Sequence, residues 1–114
     1  MAREREQAIK VLAGVTDQLS DGGSYLLLGQ LLSEEESWTK AMKALQAALK
    51  AGDLNGSETE MARLLLGITA YRAGDKKLAT LTFEQLGGHP DLGKTADHWL
   101  TVVKAADGRI GSNE

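Results

Sequence analysis

Tyr25-Leu26-Leu27-Leu28-Gly29-Gln30-Leu31-Leu32, followed at a short distance by Ala41-Met42-Lys43-Ala44-Leu45-Gln46-Ala47-Ala48, is the stretch on which the fold turns. Tyr25, Leu28 and Leu32 mark one helical face, with Leu27 and Leu31 beside it. Trp38, Ala41, Met42, Leu45, Ala48 and Leu49 mark a second. The spacing then recurs. Gly67 is followed by Ala79 and Phe83 as Gly29 is by Ala41 and Leu45, the alanine twelve residues after the glycine and the large residue four further on. Small residues at facing positions let two antiparallel helices approach closely, and Leu45 and Phe83 are expected to fill the gap to the next pair.

Working outward, residues 2–20 carry Ala8, Leu12, Val15 and Leu19 on one stripe, a first helix that Asp21-Gly22-Gly23 ends. Asp21 is placed to cap the next helix, read from about Gly23 to Ser33. Glu34-Glu35-Glu36 reads as the acidic start of a third helix, ending at Gly52. Ser57-Glu58-Thr59-Glu60 reads as a capping box opening a fourth helix, which carries Met61, Leu64, Leu65, Ile68 and Tyr71. Gly74-Asp75 makes a glycine stop followed by an aspartate cap. The fifth helix holds Leu78, Ala79, Thr82, Phe83 and Leu86 and closes at Gly87-Gly88. The sixth starts at Asp91, carries Leu92, Ala96, Trp99, Leu100, Val103 and Ala106, and leaves residues 107–114 as a flexible tail. No segment alternates with period two between hairpin turns. The reading is an all-α chain of six helices in antiparallel helix-turn-helix pairs, one domain over residues 1–106.

The bulk chemistry narrows the function. Hydrophobic residues are 42% and charged residues 25% of the 114, ordinary for a globular domain, while aromatics are only 4%. A net charge of −3 and the lack of a basic run beyond Lys76-Lys77 argue against nucleic acid and anionic membranes as partners. The absence of cysteine removes disulfides, thiol catalysis and thiolate metal sites. The apolar stretches are too short for a membrane span. Met1 to Glu6 is hydrophilic and has no signal-peptide pattern, although a signal upstream of an excised piece would not be seen. Either cytoplasm or periplasm suits a cysteine-free chain.

The Leu28-Gly29 and Leu66-Gly67 pairs, with Ala41, Leu45, Ala79 and Phe83 behind them, resemble the tetratricopeptide repeat (TPR) family, a helix-turn-helix unit of about 34 residues. The resemblance spans residues 22–106, with repeats over 22–52 and 57–88, a preceding or capping helix over 2–20 and a C-terminal capping helix over 91–106. It departs from the family pattern in places. Arg63 stands where Tyr25 does in the first copy, and Ala70 where Leu32 does, with Tyr71 one place late. The proline is missing from the first copy, and Pro90 comes one place early in the second. The two glycines lie 38 apart (67 − 29), which implies an insertion after Gly52. Leu64 to Ile68, the Gly74-to-Ala79 turn and Ala96-x-x-Trp99-Leu100 are also similar to TPR proteins encoded beside TonB energy-transduction genes in Gram-negative bacteria, which would imply a periplasmic scaffold.

Such an array holds its partner on the concave face of the first helices. By register the resemblance assigns that groove to Leu27, Gln30, Glu34, Met61, Leu65, Ile68, Tyr71, Arg72 and His98, with Leu26, Ser33 and Leu64 nearby. Gln30 and Ile68 replace the asparagines with which the family clamps acidic C-terminal tails, so no such clamp is expected. The function implied is a protein-interaction scaffold for a partner peptide or helix, without catalysis, cofactor or metal. The alternative is self-assembly, the apolar ends of a short stack pairing with another copy.

Gly88-His89-Pro90-Asp91-Leu92-Gly93-Lys94-Thr95 also matches the phosphate-binding pattern G-x-x-x-x-G-K-[ST]. That chemistry needs a buried strand before the loop and a sheet behind it. Leu78 to Leu86 reads as a helix instead, and only 19 residues (114 − 95) follow Thr95. Asp91 is expected to cap the last helix, and Lys94 to be solvated. His89 and His98 have no third metal ligand at helical spacing.

Overall fold

Caps and closing turns decide where the helices of this glycine-rich chain begin and end. The computed structural model describes residues 3–10 and 21–112, and over these the chain is all-helical, with no strand. Its six helices are α1 (residues 3–10), α2 (Gly22–Glu34), α3 (Trp38–Ala51), α4 (Gly56–Ala73), α5 (Lys76–Leu86) and α6 (Gly93–Ser112). Leu12, Val15 and Leu19, expected to complete the first helix, lie outside the described residues.

Asp21 caps α2, its carboxylate accepting from Gly23 N and Ser24 Oγ. The acidic triplet ends α2 instead of starting α3. Glu36 sits in the left-handed region at φ 60°, Glu36 N donates to Ser33 O and Ser37 N donates to Leu32 O. These two bonds make a Schellman turn. The α4–α5 turn has the same pattern, with Gly74 at φ 92°, Gly74 N donating to Tyr71 O and Asp75 N to Ala70 O. Glu36 and Gly74 are 38 residues apart, the same interval as Gly29 and Gly67. Both hairpins therefore close alike, one on the residue type that favours the left-handed region and one on a glutamate that does not.

Two expected boundaries move. The capping box of α4 is Asn55 with Glu58, two residues before the one read at Ser57 and Glu60. Asn55 Oδ1 accepts from Glu58 N at 2.8 Å, and Glu58 Oε1 accepts from Asn55 N at 3.1 Å. The extra length after Gly52 thus goes into a longer α4, 18 residues against 13 in α2. At the other end, α6 continues past residue 106 to Ser112. A glycine inside a helix costs only about 1 kcal/mol, so Gly108 does not end it unaided.

Packing follows the glycine spacing. A Cβ built on Gly29 would stand 2.7 Å from Leu45, and one on Gly67 would stand 2.5 Å from the Phe83 ring. Leu45 and Phe83 are fully buried and fill the crevice inside their own hairpin, where a place between pairs was expected. Phe83 also reaches onward, stacking on Trp99 of α6 at 5.8 Å between centroids. On the other side, Ile9 of α1 packs on Leu28, Leu32, Ala41 and Ala44, and Arg5 pairs with Glu34 (3.3 Å) and Glu35 (3.1 Å). Each helix from α2 on packs against the next. In addition the α4 backbone approaches both α2 and α6, whereas the backbones of α3 and α5 stay apart, Met42 of α3 and Leu78 of α5 reaching the clusters around Phe83 and Leu45. The chain therefore bends so that α2, α4 and α6 share one side.

Gly67→Ala is expected to destabilise the fold by about 1–3 kcal/mol in urea unfolding, because a buried ring stacked on a second ring has nowhere to shift. Gly56→Ala, where an added Cβ meets nothing within 4 Å, should be neutral or slightly stabilising. Glu36→Gly relieves a left-handed glutamate and should raise stability by about 1 kcal/mol, read as a higher unfolding midpoint.

Candidate interaction groove

α2 and α4 lie side by side and expose a row of apolar side chains between them. Leu27 and Leu31 come from α2, and Met61, Leu65 and Ile68 from α4. Trp38, the first residue of α3, closes one end. Gln30, Ser33 and Glu34 form a polar rim around the 530 Å3 groove. A smaller hollow of 290 Å3 continues it past the helix N-termini, sharing Leu27, Gln30 and Met61 and adding Gly23, Leu26, Ser57 and Glu58. The longer N-terminal turn of α4 builds that extension. Leu27 is 44% and Met61 46% exposed, whereas Leu28, Leu32, Leu66 and Ala70 of the same two helices are buried.

The rim is chemically quiet. Ser33 Oγ donates to Gly29 O at 2.8 Å, Glu34 is held by Arg5, and Glu58 is committed to its capping box. Beyond Ile68, the Arg72 guanidinium lies over Trp38, 5.7 Å from the ring centroid. That distance suits a cation–π contact.

Six of the nine residues assigned to the groove by register, Leu27, Gln30, Glu34, Met61, Leu65 and Ile68, are brought together here. Three are not. Tyr71 turns the other way, half-buried and edge-on to Trp99 at 6.0 Å, because its position on α4 faces α6. Arg72 stands at the groove's end and touches it only through Trp38. His98 is exposed on α6 and does not line it. Leu64 packs on the core cluster around Phe83, and Leu26 is buried, lining only the smaller hollow. Trp38 was missed. It reads as a core position of α3, and only the turn at Glu35 to Ser37 reveals that α3 begins with it at the groove mouth.

The phosphate-loop look-alike is a helix entry. α5 precedes it where a strand would be needed. His89, not Asp91, supplies the side chain that caps the turn leading into α6. Its Nδ1 accepts from Asp91 N and Leu92 N, both at 3.0 Å, and His89 O accepts from Gly93 N. Three amides that a phosphate would use are thus already bonded. Nδ1 is an acceptor, so the ring proton sits on Nε2, which donates to Glu60 Oε1 of α4 at 2.6 Å. Lys94 and Thr95 are exposed. No group of three His, Cys, Asp or Glu side chains that could hold a metal ion occurs among the described residues. Among the same residues no helix is long and apolar enough to cross a membrane.

Comparison with protein-family models, with curated proteins and with solved structures finds no match for this chain.

His89→Ala removes the cap of the turn leading into α6 and its tie to Glu60, and is expected to cost about 1–2 kcal/mol in thermal or urea unfolding. Lys94→Ala should stay within about 0.5 kcal/mol of the parent.

Proposed function

We propose that this chain is a TPR-like interaction scaffold, without catalytic activity, that holds a peptide or helix of a partner protein in the groove between α2 and α4. The observation that carries this reading is the open apolar row of Leu27, Leu31, Trp38, Met61, Leu65 and Ile68, set between helices whose opposite faces are buried. Such a rimmed apolar strip suits a partner's side chains better than it suits a solvated surface.

The array reading draws support from two hairpins that repeat one contact, Gly29 with Leu45 and Gly67 with Phe83, and one closing turn. It also draws support from the shared side of α2, α4 and α6. Against an enzyme stands the state of the polar groups around the groove. Ser33, Glu34 and Glu58 are each tied to a structural partner, and no acid–base pair converges there.

The test is a comparison of the parent chain with a Leu27→Glu, Met61→Glu variant. Both sites are nearly half exposed, so circular dichroism and unfolding should be little changed. A partner captured by the parent should bind the variant about tenfold or more weakly in calorimetry. Equal binding would sink the groove reading. A parent chain that sediments as a dimer, and a variant that sediments as a monomer, would replace it with self-assembly through the same face.

A further inference from the structure

Asn55-Gly56 is the only asparagine–glycine step in the chain, the other asparagine, Asn113, being followed by Glu114. The pair stands at the start of α4, and both residues are exposed. The backbone nitrogen that follows an asparagine can attack its Cγ and close a five-membered succinimide ring. Glycine favours that attack, because no side chain shields its nitrogen and its backbone turns freely. Here the nitrogen is also uncommitted. Gly56 is the first residue of α4, so its N–H has no acceptor within the helix, and it has none elsewhere among the described residues. A Cβ built on Gly56 would meet nothing within 4 Å, so no neighbour keeps water away. The aspartate–glycine step at the start of α2 is the contrast. Gly22 is buried, and its N donates to Asp53 Oδ1 at 3.0 Å.

The cap restrains the ring closure. Asn55 has ψ 174°, which sets Gly56 N opposite Asn55 N and staggered from Cβ, whereas a succinimide needs Gly56 N to eclipse Cβ. Closure therefore requires rotation about the Cα–C bond. The capping box opposes that rotation by holding both the amide side chain and the backbone of Asn55. Glu58 N donates to Asn55 Oδ1 at 2.8 Å, and Asn55 N donates to Glu58 Oε1 at 3.1 Å. Both bonds are exposed, so the box opens in local fluctuations without global unfolding.

We infer that Asn55-Gly56 is a self-modifying site, which deamidates through a succinimide at a rate set by opening of the Asn55–Glu58 box. Gly56 N gives its proton to solvent and bonds to Asn55 Cγ. The Cγ–Nδ2 bond breaks, and the nitrogen takes a proton from water and leaves as ammonia. Water then opens the ring. Cleavage between Gly56 N and Cγ gives aspartate, and cleavage between Gly56 N and the backbone carbonyl carbon gives isoaspartate. One water is consumed and one ammonia released, nothing is oxidised or reduced, and the chain gains one negative charge. The two products differ in consequence. Aspartate still caps α4, and the helix dipole favours its charge. Isoaspartate routes the main chain through the side chain and lengthens it by a methylene. It cannot keep both the box and the first helical bond, from Thr59 N to Asn55 O. The turn that carries Ser57 and Glu58 into the smaller hollow is then loosened.

The experiment ages the folded full chain in neutral buffer at physiological temperature. Chromatography and mass spectrometry of the peptide holding residue 55 separate asparagine, aspartate and isoaspartate. The parent should convert, and more slowly than the same chain in urea. Glu58→Ala, which removes one bond of the box, should convert about two- to fivefold faster while circular dichroism shows it folded. Glu58→Gln keeps an acceptor in that place without the charge, and should age like the parent. Gly56→Ala should slow conversion by roughly tenfold or more. The isoaspartyl chain, once separated, should unfold at lower urea than the aspartyl chain. An Asn55 that stays intact in the folded chain while the unfolded chain converts would overturn the site. Equal rates for the parent and Glu58→Ala, or a rate raised as much by Glu58→Gln, would overturn the box as its gate. An isoaspartyl chain as stable as the aspartyl one would overturn the loosened turn.

Discussion

Phe83 lies so close over Gly67 that no side chain other than hydrogen fits beneath it, and much of the architecture follows from that contact. It presents the far side of the ring to Trp99, which carries α6, and Trp99 in turn meets Tyr71 on α4. Three of the chain's five aromatic residues are spent on this one knot. The lighter contact of Leu45 on Gly29 does the same for α2 and α3 with an aliphatic side chain. With each hairpin closed this way, the backbones of the first helices come within reach of one another and those of the second helices do not. A groove along α2 and α4 is the geometric result of that inequality.

Much of this was legible because glycine and alanine spacing reports how near two helices come, and spacing survives without structural knowledge. The helix number, the stops at Gly52 and Gly74 and the caps at Asp21 and Asp75 all follow from local chemistry, and the structure places them so. Glu36 was not legible, since nothing in a run of three glutamates marks one of them as left-handed. Its identity with the Gly74 turn emerges only when the backbone bonds are compared. His89 was missed as a cap for a similar reason. Imidazole is an uncommon acceptor for helix-end amides, and the partner that fixes its tautomer, Glu60, is remote in sequence.

The groove itself was half legible. The register implied by the family resemblance selected Leu27, Gln30, Glu34, Met61, Leu65 and Ile68, which line one groove here. It went wrong at the end of α4, where Tyr71 and Arg72 are neighbours about 100° apart around the helix axis. One was bound to face α6 and the other Trp38, and the choice depends on where α6 and the start of α3 sit. The longer α4 has a similar standing. Its extra turn reads as inserted loop until Asn55 is seen to cap it, and only then does the second hollow beside Ser57 and Glu58 make sense.

What the groove has left to offer is set by what its polar residues have already given away. Ser33 bonds its own helix, Glu34 holds α1 through Arg5, and Glu58 closes the start of α4. Each group keeps spare acceptor capacity, but its orientation is already set by a structural partner. What remains along the groove is apolar surface, the Gln30 amide and one guanidinium resting on an indole. A partner held there, as proposed above, would be held by buried area and shape more than by charge.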